Sequence, residues 1–164
     1  MTSNLQEFKK LLLKQQKRVV EDVVKDAQLA IGQHVYERVI MRTPVLTGHA
    51  RHNWRPSLNA PVDQEQEGVY GGESTGDPIT GEERGRWQEV RRQLRAMPMG
   101  QTLWISNNAP YIGMLEFGGY PAGPGTINGF SKKAPNGMVG ITVREVLEGI
   151  YKQLPRMMSD DGGT

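Results

Sequence analysis

Apolar residues recur at spacings of three and four through the first quarter of the chain. Leu5, Phe8 and Leu12 share one helical face, and Val19, Val23, Ala27, Ile31, Val35 and Val39 continue the pattern. That period predicts one long helix over residues 4–42. Ser3 or Asn4 is placed to cap its start. Pro44 stops it, because proline restricts Thr43 and cannot continue the hydrogen-bond ladder. At about 1.5 Å per residue such a helix reaches roughly 60 Å, more than a compact domain of this size needs. The polar run "KQQKR", Lys14 to Arg18, interrupts the stripe. Residues 1–18 are therefore expected to project as an arm, or the helix to break there or at Gly32.

Beyond the turn "TPVLTG" the pattern shortens. Ala50–Leu58 predicts a short turn and then a strand from about Asn53, with Pro56 at an edge or a bulge. Residues 59–83 show no period and are rich in Gly, Pro and acids; a loop of that length is mobile or ordered by a neighbour. Residues 83–97 predict a helix with Trp87, Val90, Leu94 and Met97 on one face, ended by Pro98. "QTLWISNN", Gln101 to Asn108, alternates as a strand does, Leu103 and Ile105 to one side and Trp104 to the other. Ile112–Phe117 reads as a packed segment that Gly118–Gly119 release into a second Gly/Pro-rich insertion, 118–132. A last helix is expected over about 137–154, capped by Asn136 and stopped by Pro155. Its packed face is Val139, Val143, Val146 or Leu147, Ile150 and Leu154, and residues 159–164 are expected as a frayed tail. The order of elements predicts an α+β fold: a long N-terminal helix, a small mostly antiparallel sheet, and one middle and one C-terminal helix. Long loops join them in a single domain over 1–158.

Composition narrows the chemistry. The 164 residues include no cysteine, which removes disulfides, thiolate metal sites and a cysteine nucleophile. The net charge is +2, modest for a protein that holds nucleic acid by counterion release. The charge is uneven, however. Residues 59–83 carry seven acids and no Lys or Arg, whereas residues 84–95 carry five arginines and one acid, Glu89. Such asymmetry orients partners in an assembly; a solvated acidic loop beside a solvated helix face would look the same. No apolar run approaches the roughly 20 residues that span a bilayer, and the N-terminus has no signal-peptide core. A soluble protein made in the cytoplasm, with no membrane partner, is expected.

Candidate chemistry is sparse. His49 and His52 are three apart, but the remaining parts of an HExxH-type metal site are missing, and His34 is isolated. "GGESTGDPITGEERG" lacks the Gly-Lys-Ser/Thr ending of a phosphate loop, and Ser74 and Thr75 lack a G-x-S-x-G elbow. Neither a cofactor nor a metal is implied. Glu116 lies among Ile112, Met114, Leu115 and Phe117, where a lone carboxylate is costly to bury. A hydrolase would need a second group placed beside it, and none is evident. A structural or interface acid would need a positive partner: Arg51, Arg55 or an arginine from a neighbour. A DNA-binding reading would use the Arg84–Arg95 helix, with Arg84, Arg86, Arg91, Arg92 and Arg95 facing phosphate. Trp87, its one stacking candidate, falls on the apolar face.

Three segments, read in order, are more specific. "RTPVLTGHARHNW" (42–54), "ISNNAPYIGMLEFGG" (105–119) and "KAPNGMVGITVREV" (133–146) follow the long helix. Together they resemble the phage neck and tail-completion family, minor tail proteins similar in kind to the lambda-type minor tail protein Z. Arg42, Pro44, Val45, Thr47, Gly48 and Arg51 match the first block. Asn107, Asn108, Pro110, Tyr111, Leu115, Glu116 and Gly118 match the second, and Ala134, Pro135, Gly137, Met138 and Val139 the third. The segments 59–83 and 118–132 are longer than the family pattern. The resemblance implies a non-enzymatic virion protein, made in the host cytoplasm and built into the phage neck or tail. It further implies homo-oligomeric rings of about six subunits at the head–tail junction or head-proximal tail end. Its partners would be a tail-terminator or tail-tube protein and head–tail connector proteins, with DNA passing through the channel unread.

Overall fold

The computed structural model describes residues 2–68, 70 and 73–159. Its elements are α1 (Thr2–Arg42), α2 (His49–His52), β1 (Trp54–Leu58), α3 (Gly81–Ala96), β2 (Leu103–Asn107), α4 (Ile112–Phe117), β3 (Thr126–Ile127), β4 (Phe130–Ser131) and α5 (Val139–Ser159). The fold is α+β, as the alternation of periods predicts. The expected tail beyond Ser159 lies outside the described residues.

α1 is one unbroken helix. Neither "KQQKR" nor Gly32 interrupts it. Gly32 is there for packing: a Cβ would overlap Leu103 Cδ2 and stand 2.8 Å from Trp87 Cη2. The missing side chain lets α1 lie directly on β2 and α3. Only the C-terminal half of α1 is built into the body. Leu29, Tyr36, Val39 and Ile40 are buried, whereas Phe8, Leu12, Val19 and Val23 are exposed. Among the described side chains, Lys25 is the first along α1 to bond the body, its Nζ donating to Met97 O at 2.6 Å. The exposed arm thus runs on past residue 18. The helix ends before Pro44, and Thr43 Oγ1 donates back to Val39 O at 2.6 Å.

β1 and β2 pair antiparallel, with Trp54 opposite Asn107 and Leu58 opposite Leu103. Asn59 N donates to Thr102 O at 2.7 Å, which places the bonded pairs at every second residue. Pro56, opposite Ile105, therefore falls at a non-bonded pair and its missing N–H costs no ladder bond. Leu103 and Ile105 face the core and Trp104 faces out. α3 starts two residues earlier than its apolar period suggests, because Thr80 and Glu83 form a capping box. Trp87, Val90 and Leu94 bury its apolar face, and Tyr36 stacks on Trp87 at 5.8 Å between ring centres.

Four local expectations give way. The segment 112–117 is a short helix that buries only Leu115; Met114 and Phe117 are exposed. The insertion 118–132 holds a small hairpin, β3–β4. α5 runs through Pro155 to Ser159; a proline near a helix end forfeits one ladder bond, and the remaining turns carry that loss. Its packed positions are Thr142, with Val139, Val146 and Ile150 half-buried, whereas Val143 and Leu147 are exposed. Leu154 lies outside the described side chains.

The described residues of the acidic segment 59–80 are bonded to their own chain. Asn108 Nδ2 donates to Val62 O and Gln64 O, and Asn53 exchanges bonds with Gln66 N and O. Tyr70 N reaches Thr47 O, and Gly76 N reaches Met41 O. Side-chain amides thus supply the partners that an irregular backbone lacks. Among the described residues no helix is long and apolar enough to cross a membrane.

Candidate functional site

The three sequence blocks meet in space. The turn 44–48 that follows α1, the start of α4 and the strand–turn 131–133 wall an open groove of about 710 Å³. Pro44, Val45, Leu46, Tyr111, Leu115 and Tyr120 give it an apolar lining, with Lys132 and Lys133 at its rim. Lys133 Nζ donates to Val45 O at 3.1 Å and ties the third block to the first. Asn107 Nδ2 donates to Ala50 O at 2.7 Å, while its Oδ1 accepts from Ala109 N, tying the second block to the first.

Among the described residues neither Arg51 nor Arg55 nor any other arginine meets Glu116. Its carboxylate lies across the first turn of α5: Oε2 accepts from Met138 N (2.7 Å) and Val139 N (2.8 Å), and Oε1 from Gly140 N (2.8 Å). These N–H groups have no partner within the helix, and the helix dipole favours an anion there. Glu116, not Asn136, caps α5. Gly137 makes the approach possible. Its φ is +70°, and a Cβ there would stand 2.5 Å from Glu116 O and 2.9 Å from Oε2. The "L-E-x-G" and "P-x-G-M-V" patterns are thus two halves of one clasp.

Arg51 belongs to a different lock. Its side chain and that of Glu83 are both fully buried. Nε and Nη2 meet the two Glu83 oxygens at 3.0 and 3.1 Å, and the guanidinium also donates to Asp77 O and Pro78 O. Glu83 Oε2 in turn accepts from Thr80 N at 2.6 Å. One ion pair therefore joins α2, the acidic segment and the start of α3. Tyr36 Oη donates to Glu83 O beside it, and burial drives the phenol pKa far up, so it stays a donor.

The remaining candidates are scattered. Arg55 is half-buried and donates to Gln66 Oε1 at 3.0 Å. Tyr111, partly exposed at the groove, is the residue from which α4 starts. On α3, Arg86 bonds His52 O and Glu82, Arg92 bonds Glu89, and Arg95 bonds Asp26 of α1. Arg84 bends back to Ile79 O. Arg91 makes no bond among the described residues. The five arginines therefore do not form one free basic face, and Trp87 is buried beneath them.

Sequence reading misses Glu83 as a buried partner, although Thr80 followed three residues later by Glu83 is a visible capping signature. It also misses the setting of His52, which is buried, stacked on Tyr70 with ring centres 4.1 Å apart, and 3.6 Å from Glu73 Oε1. His49 pairs instead with Glu65 at 2.7 Å. Among the described residues no three His, Asp or Glu are placed to hold a metal. No protein-family model, curated protein or solved structure matches the chain.

Proposed function

We propose that this chain is a structural subunit of a tailed-phage virion, a neck or tail-completion component that joins copies of itself into a ring. The observation that carries this reading is the use of the motif residues. Arg42, Arg51, Asn107, Glu116 and Gly137 are all occupied in locking one segment of the chain to another. What they leave at the surface is an open apolar groove beside large exposed apolar side chains, Leu46 at 96% and Phe117 at 83% exposure. An open apolar groove edged by exposed apolar side chains is the kind of surface that a neighbouring subunit covers in a cyclic assembly.

In this reading the ring meets a tail-terminator or tail-tube protein on one side and connector proteins on the other. DNA passes through without base contacts. Glu116 supports an architectural role over catalysis, since both of its oxygens are occupied by backbone donors. The DNA-binding alternative is weakened by the ion pairs that hold Arg86, Arg92 and Arg95.

A reconstruction of the particle's neck at side-chain resolution tests the proposal. It expects a ring of this chain at the head–tail junction or the head-proximal tail end, with Leu46 or Phe117 against the next subunit. Purified particles that lack the chain overturn it.

A further inference from the structure

One seam of α1 is exposed along its whole length. Leu13, Val20, Val24, Ala27 and Ile31 are all open to solvent, Leu13 at 66%. Their spacings of seven, four, three and four are those of the two inward positions of a heptad repeat, missing only at Lys17. A heptad seam is the face one helix presents to another in a coiled coil. It begins on the free arm and enters the body at Ile31. There it borders a groove of about 520 Å³ walled also by Val35, Leu103 and Ile105.

We infer that this seam is covered by the same seam of a second copy, running antiparallel. Three observations select that occupant. The seam is symmetric about Asp22: Leu13 and Ile31 lie equally far from it, about 13 Å each way. A twofold there sets Leu13 against the partner's Ile31, Val20 against its Val24, and Lys17 against its Ala27. The one long polar residue thus meets the one small one, and its stem passes over the methyl while its ammonium reaches the edge.

The charge along α1 makes the second observation. Residues 9–18 carry five basic groups and no acid, whereas Glu21, Asp22 and Asp26 follow with only Lys25 among them. With the twofold at Asp22, Arg18 of each helix lies level with Asp26 of the other, and residues 9–17 lie along residues 27–35 of the second copy, which carry no Lys, Arg, Asp or Glu. A parallel pair would stack the basic runs and bring Lys17 onto Lys17. Third, the groove at Ile31 sits where the partner's Leu13 arrives, so the body supplies a hole for the arm's knob. The result is a closed dimer that buries two copies of one patch and leaves no seam for further growth.

The full chain is tested by analytical ultracentrifugation over a range of concentrations. A dimer is expected, and Val20→Asp with Val24→Asp should raise its dissociation constant at least a hundredfold. Circular dichroism should show the body still folded, because both side chains are solvent-exposed in the single chain. Direction is read by disulfide trapping, which is clean because the protein has no cysteine. Leu13→Cys mixed with Ile31→Cys should cross-link, and Leu13→Cys alone should not. A monomer at all concentrations overturns the inference. So does a Leu13→Cys homodimer, or an oligomer insensitive to the aspartates. Binding of a monomeric chain to phosphatidylserine vesicles, lost on the same aspartate substitutions, would assign the seam to a membrane surface instead. The inference stands apart from the virion reading: a solution dimer absent from particles would sink only the latter, and a neck ring built from solution monomers only the former.

Discussion

At the residue scale two carboxylates, one buried and one half-buried, do opposite things. Glu83 is neutralised by Arg51 in a fully buried pair, whereas Glu116 is held by three backbone N–H groups. Arg51→Met should cost about 3–5 kcal/mol by stranding Glu83, and adding Glu83→Leu should recover part of that loss. Urea denaturation of the single and double variants measures both. Glu116→Ala should cost about 1–2 kcal/mol, with amide exchange quickening at Met138–Gly140. Gly137→Ala should be at least as harmful, because both its positive φ and the Glu116 oxygens oppose a methyl. The sequence marks Glu116 as a carboxylate that needs a partner, but not which kind. Among apolar neighbours a cation is the obvious choice, and nothing local points to a helix start 22 residues further on. Arg51 carries no local sign of its depth, since its partner enters through a segment that reads as a loose acidic loop.

At the element scale α1 and α3 are legible because their apolar periods are sustained and Pro44 and Pro98 end them, and β2 because Leu103, Trp104 and Ile105 alternate. The short elements are not: α4 and the β3–β4 hairpin are too brief for a period, and tertiary bonds hold them. Gly32 shows how propensity misleads. Alanine is the better helix former by about 1 kcal/mol, yet Gly32→Ala should destabilise by about 1–3 kcal/mol because α1 must back away from Leu103 and Trp87. A thermal melt reads the sign directly. On α3 the arginines are largely paired. Replacing Arg91, Arg92 and Arg95 with alanine should therefore leave duplex-DNA affinity and its salt slope within about twofold of the parent; fluorescence anisotropy at several salt concentrations checks this.

At the scale of the whole molecule, surface and interior separate cleanly. The polar motif residues face inward and hold the chain together, while Leu46, Phe117 and the arm of α1 carry large apolar groups outward. Leu46→Asp and Phe117→Asp should leave the melting temperature within about 2 °C of the parent, since neither side chain is buried. In the assembly proposed here either change should abolish incorporation into particles, read by quantitative mass spectrometry of purified virions.

The Glu116–Gly137 clasp also sets the terms on which the gene can change. It pins the two ends of the 118–132 insertion, and Tyr120 packs against the core near the first of them, so the chain beyond Tyr120 can change in length while the ends still meet. Lengthening such a closed loop twofold costs only about 0.6 kcal/mol. A short affinity tag placed between Gly123 and Pro124, both exposed, should be accepted with little loss of stability. This segment is a slot in which an experimenter can exchange surface without renegotiating the fold.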